Sequence, residues 1–150
     1  MSTAPERGYL DDVGGFFAAH GMPPVAGRIV GHLLICEPPE QSFEALCKAV
    51  GASRGSVSTM TRLLAQLGLV ERRPGSGRSL NYRMRDDAWT QLLEDDLRSA
   101  ARLRAIAIEG LRLQQGRSTK SRQRLTAMRE FYAFLELQTA GVLEAWRKRS

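Results

Sequence analysis

The chain has 150 residues, of which 43% are hydrophobic and 25% charged, with a formal net charge of +6, a size and balance that suit one ordinary globular domain. No apolar run reaches the roughly 18 residues needed to span a bilayer, and the acidic, Gly-broken N-terminus lacks the basic and apolar regions of a secretory signal, so a cytoplasmic protein is expected. The two cysteines, Cys36 and Cys47, lie in apolar helical patterns without His or Cys at metal-ligand spacing, which points to reduced thiols, no metal and no cofactor.

In chain order, residues 1–7 are polar, small and Pro-containing and read as a flexible tail. Residues 8–21 form an N-terminal helix in which Leu10, Val13, Phe16 and Phe17 share a side and Gly21 supplies the stop. Gly14 and Gly15 weaken that helix by about 1 kcal/mol each relative to Ala, which makes it dependent on packing, with a partner subunit as one candidate. Pro23 and Pro24 open a second, deeply apolar helix, VAGRIVGHLLIC, that ends before Pro38 and Pro39. Its His32 is read as a hydrogen-bonded structural residue.

Residues 22–86 then read as a winged helix-turn-helix. Ser42 opens the short helix FEALCKAV, with Phe43, Leu46, Cys47 and Val50 inward. Gly51 makes the turn, and Ser53 caps a recognition helix whose Val57, Met60, Leu63, Leu64 and Leu67 face inward. Ser53, Arg54, Ser56, Ser58, Thr59 and Arg62 are left for a DNA major groove. After Gly68, two strands alternate around the turn Pro74–Gly77 to form a wing, whose Arg72, Arg73, Arg78, Asn81 and Tyr82 are candidate contacts. Arg78, near the Gly-rich tip, is the candidate for an A·T-rich minor groove, and Arg72 and Arg73 for phosphates.

The location of the charge supports this reading. From Ser53 to Arg85 the chain holds seven arginines and one acid, Glu71, so this segment carries the whole formal charge of +6. That is the footprint of a phosphate-binding surface. A winged-helix interaction or assembly module with a basic surface for an acidic partner is the alternative. An enzyme is disfavoured, since no nucleophile elbow, phosphate-cradling loop or metal cluster is visible.

Residues 87–150 contain two long helical patterns. Along the second, Leu125, Met128, Tyr132, Leu135, Thr139, Val142 and Trp146 step by three and four residues in a heptad-like seam. Leu10, Phe17, Leu125, Met128, Tyr132, Leu135, Val142 and Trp146 are therefore expected at an interface between two chains, with an intramolecular antiparallel pair as the alternative. The expected fold is mainly α, an α+β winged helix-turn-helix of about six helices and a two-stranded wing, with the terminal helices forming a dimerisation region.

Three features resemble the MarR family of winged-helix transcriptional regulators, in particular its GbsR-like branch. GMPPVAGRIVGHLLI (Gly21 to Ile35) is similar to the second helix of that branch, and GASRGSVSTMTRLLAQLGLVERR (Gly51 to Arg73) to its recognition helix and first wing strand, with long helices flanking both. The resemblance implies a homodimer whose terminal helices interlock, a palindromic duplex operator, and repression relieved by a small-molecule effector. No effector-binding residue is assigned.

Overall fold

The computed structural model describes residues 2–149. They form α1 (Ala4–Ala19), α2 (Pro24–Ile35), β1 (Gln41–Ser42), α3 (Phe43–Val50), α4 (Arg54–Gln66), β2 (Val70–Pro74), β3 (Leu80–Met84), α5 (Ala88–Leu113) and α6 (Thr119–Arg147). Two compact units follow one another, the first ending at Ala88 and the second beginning at Trp89.

Helix α1 begins at Ala4, so residues 4–7 are not the tail expected from their composition; Met1 lies outside the described residues. A capping box starts the helix: Thr3 Oγ1 accepts the Glu6 amide at 3.3 Å, and Glu6 accepts the Thr3 amide at 2.6 Å. Two otherwise orphaned donors are thereby satisfied, and Pro5 sits in the first turn, where no intrahelical N–H is needed. Helix α1 lies against α2 in close backbone contact. A Cβ on Gly14 would meet Arg28 Cγ at 3.0 Å and Pro24 O at 3.1 Å. The glycine that weakens α1 in isolation thus lies at a tight contact within the chain. Leu10 is buried in this unit at 1% exposure, which corrects its expected place at an interface between chains.

The core of the first unit joins Leu10 to Ile29, Val30 and Leu33 of α2, Leu46 and Val50 of α3, and Val57 and Leu64 of α4. The sheet has three antiparallel strands in the order β1-β3-β2, where two were expected. Strand β1 pairs Gln41 with Tyr82 and Ser42 with Asn81. Ser42 also caps α3, its Oγ accepting the Ala45 amide at 3.1 Å. One residue therefore belongs to the sheet and to the start of the helix-turn-helix.

In the second unit α5 and α6 run antiparallel. Arg147 bonds Glu94, Arg104 Nε donates to Glu136 at 2.6 Å, and a Cβ on Gly110 would stand 2.9 Å from Leu125 Cδ2. Ser118 caps α6, its Oγ accepting the Ser121 amide at 3.2 Å. Leu125, Met128, Tyr132 and Leu135 are half-buried and Thr139 is buried. At the next step the seam passes to Leu143, 4% exposed, and leaves Val142 outside at 57%. A straight helix of 3.6 residues per turn drifts from a strict heptad, which accounts for the change of position.

Candidate nucleic-acid interface

The recognition helix is set by the turn that precedes it. Gly51 closes α3 in the left-handed conformation at φ 63°, and Ser53 caps α4, its Oγ accepting the Ser56 amide at 3.1 Å. Left-handed backbone is favourable for Gly and costly for residues with a Cβ. Val57, Thr61 and Leu64 form the buried side of α4. Thr61 was not expected in the core. Its hydroxyl donates back to Val57 O at 2.8 Å, so its burial leaves no donor unmet.

On the opposite side Ser53, Arg54, Ser56, Thr59 and Arg62 are exposed and Ser58 is half-buried. Thr59 Oγ1 donates to Gly55 O at 3.0 Å, and Arg62 Nη2 to Ser58 Oγ at 3.3 Å. These are weak, solvent-side bonds that a bound partner could replace. Arg54 has two partners on α3: its Nη1 donates to Glu44 at 2.5 Å, and its Cζ stands 5.0 Å from the centre of the Phe43 ring. The bond to Glu44 holds the Arg54 guanidinium above its ordinary pKa.

On the wing, Arg72 lies opposite Tyr82 and Arg73 opposite Asn81. Arg72, Arg73 and Arg78 are exposed. Arg73 Nη2 donates to Glu71 at 3.1 Å, and Asn81 Nδ2 to Glu40 at 3.0 Å. Tyr82 is 5% exposed, with its ring centre 6.2 Å from that of Phe43. It therefore supports the wing from beneath, which corrects its expected role as a groove contact. Its position on the apolar side of the alternating strand carried that signal.

The structure also redistributes the charge. Arg83 pairs with Glu71 at 3.3 Å and with Asp86 at 2.7 Å, and Arg85 pairs with Asp87 at 2.8 Å. The bond from Arg85 holds the Asp87 carboxyl below its usual range. Three acids beyond the ends of the basic segment, Glu44, Asp86 and Asp87, thus lean back onto it. Of the seven arginines between Ser53 and Arg85, Arg62, Arg72 and Arg78 make no ion pair among the described residues. Exposed pairs such as Arg85–Asp87 contribute little to stability and open at small cost.

Burial pushes the Cys36 and Cys47 thiols up, for Cys47 against a weaker opposing pull from Arg54. Their thiolates are disfavoured at neutral pH. A cleft of about 620 Å³ opens in the first unit, lined among others by Arg7, Arg28, His32, Glu37, Lys48 and Gly51. Among the described residues no group of three His, Cys, Asp or Glu side chains is placed to hold a metal ion, and no helix is long and apolar enough to cross a membrane.

Comparison with known proteins agrees with this geometry. The chain is 33% identical over 143 residues to the HTH-type transcriptional regulator MmpR5 of Mycobacterium tuberculosis (strain ATCC 25618 / H37Rv), across 95% of this chain and 87% of the relative. A solved structure described as a transcriptional regulator superposes with a TM-score of 0.86 at 32% identity, covering 96% of this chain and 99% of that one. Residues 87–149 match the model of the MmpR5-like MarR family transcriptional regulators. These relatives are regulators and not enzymes. The chain is a winged-helix transcriptional regulator and belongs to the MmpR5-like MarR family.

Proposed function

We propose that the chain acts as a cytoplasmic homodimer that binds a palindromic duplex operator and represses transcription until a small molecule releases it. The observation that carries the DNA contact is the pairing of a capped helix whose outward side presents Ser56, Thr59 and Arg62 with a wing that presents Arg72 and Arg78 without acidic partners. In this reading α4 enters a major groove, Arg72 and Arg73 meet phosphates, and Arg78 reaches the adjacent minor groove. Asn81 joins them once its bond to Glu40 opens.

The dimer is supported by apolar surface that the second unit leaves in water. Phe131, Phe134, Leu137 and Val142 of α6 are exposed, as are Ile106, Ile108 and Leu113 of α5. Two helices packed along one seam cannot cover both of their apolar sides, and a second copy of the pair can. The cleft beside Gly51 is of a size that takes a small molecule, and it adjoins the turn that aims α4. The narrower GbsR-like placement rests on the segments Gly21 to Ile35 and Gly51 to Arg73 and belongs to the proposal.

Selection from a pool of randomised duplexes tests the reading. The expected product is a palindrome whose half-sites lie about one helical turn, or a multiple of it, apart. Recovery of no enriched sequence, together with equal binding to a non-nucleic polyanion, would favour the acidic-partner module instead.

A further inference from the structure

We propose that Glu44 is a positioning residue for DNA reading: by holding one end of the Arg54 guanidinium while Phe43 supports its plane, it determines which base pair the recognition helix discriminates. The inference rests on the DNA-binding reading above and concerns a residue of α3 that lies outside the recognition helix.

Two neighbouring residues of α3 converge on Arg54. It is the first residue of α4, directly after the Ser53 cap, so its backbone is fixed relative to the helix end. Glu44, in the first turn of α3, accepts from its Nη1 at 2.5 Å across the inter-helix turn. Phe43, the neighbour of Glu44, lies under the guanidinium at 5.0 Å and is backed at 6.2 Å by the buried ring of Tyr82 on β3. The contacts from Tyr82 through Phe43 to Arg54 therefore run from the sheet to the surface. At its outer end the Arg54 side chain remains 65% exposed.

A guanidinium carries five N–H donors in a rigid fork, and Glu44 engages one side of it. The rest of the fork remains for the paired acceptors O6 and N7 of a guanine in the major groove. An arginine held in place before binding loses less rotamer freedom on binding, and it offers its donors in one geometry instead of many. That favours the one base pair whose acceptors match.

Charge alone acts in the other direction. The Glu44 carboxylate is itself 72% exposed on a surface that meets phosphates, so it weakens binding to any duplex. Positioning and repulsion therefore leave opposite marks: removal of Glu44 tightens binding to arbitrary sequence while it erases discrimination at one base pair per half-site. A residue that only repels would change all duplexes alike, and so would one that only supports the fold.

The test uses the full-length protein and a duplex selected by the wild type from a randomised pool. Each base pair of that duplex is then substituted in turn and binding is followed by fluorescence anisotropy. Arg54→Ala identifies the base pair that Arg54 reads, as the one where discrimination disappears. Glu44→Ala, which removes both the charge and the acceptor, is expected to bind a random-sequence duplex a few-fold more tightly and to lose about tenfold discrimination at that same base pair. Glu44→Asp keeps the charge but is one methylene too short to hold the guanidinium in place. It should match the wild type on random sequence and still lose the discrimination. Thermal melts of both variants should overlay the wild type, because the Glu44 side chain is exposed. Discrimination retained by Glu44→Ala, or a uniform change on all duplexes, overturns the proposal while the DNA-binding reading stands. A wild type that binds no duplex overturns both.

Discussion

A Cβ placed on Gly27 would stand 2.5 Å from the carbonyl oxygen of Val13 and 2.8 Å from Gly14 Cα. Both neighbours are backbone atoms and cannot rotate away, so α1 would have to shift off α2. Gly27→Ala gains up to about 1 kcal/mol of helix propensity, yet overpacking of this kind costs about 1–3 kcal/mol, and the clash should win. We expect a clearly lowered melting temperature by circular dichroism. Gly15→Ala is the matching control, since a Cβ there meets nothing within 4 Å. It should leave the melt unchanged or raise it.

Leu143 and Val142 are neighbours with opposite environments, one buried and one in water. Leu143→Ala should destabilise the helical pair by about 2–4 kcal/mol, whereas Val142→Ala should cost almost nothing within one chain. If the outer stripe is the dimer surface, Phe134→Glu disperses the dimer without melting the helices. Sedimentation velocity reads the first effect and far-UV circular dichroism the second. A variant that remains dimeric would remove this stripe from the interface.

The capping box of α1 makes its onset sensitive to acid. Glu6 is held below its ordinary value of 4.5, first by the bond from the Thr3 amide. A carboxyl lowered in the folded state contributes stability above its unfolded value, and that contribution is lost as pH falls through the folded one. The difference in melting temperature between wild type and Glu6→Gln should therefore be constant at neutral pH and shrink as the solution is taken below pH 4.5. Thr3→Ala should cost about 1 kcal/mol as an ordinary N-cap loss.

Residues that mark their own element ends made most of the first unit legible in advance. Pro24, Ser42, Gly51, Ser53 and Gly68 each signal a start or stop through local backbone chemistry, and the helices fall where those signals lie. The start of α1 carried the same kind of signal in Thr3 and Glu6, hidden by a composition that suggested a tail. Strand β1 could not be read locally. It has two residues, and its partners Tyr82 and Asn81 lie about 40 positions away.

At the candidate interface, sequence distinguishes the polar side of α4 from the apolar side, and the structure agrees for Val57 and Leu64. It does not show which arginines are already engaged. Arg54 meets Glu44 ten positions upstream, and Asn81 meets Glu40 forty-one positions upstream, so a sum of charge over a contiguous segment overstates what is free. The seam of α6 had the right period but two possible partners. Contacts such as that of Leu125 with Gly110 assign that side to the chain's own α5, and the outer stripe of Phe131 and Phe134 is what remains for a second copy.

The most direct test of the DNA-binding claim is the salt dependence of affinity for the selected duplex. A dimer that neutralises about six to ten phosphates gives a slope of log affinity on log salt of about −5 to −9. Arg72→Ala and Arg78→Ala should each flatten that slope by about one unit, and combining them with Arg62→Ala should lower affinity further. A slope near zero, or a triple variant that binds like the wild type, would contradict the assignment of this surface to DNA.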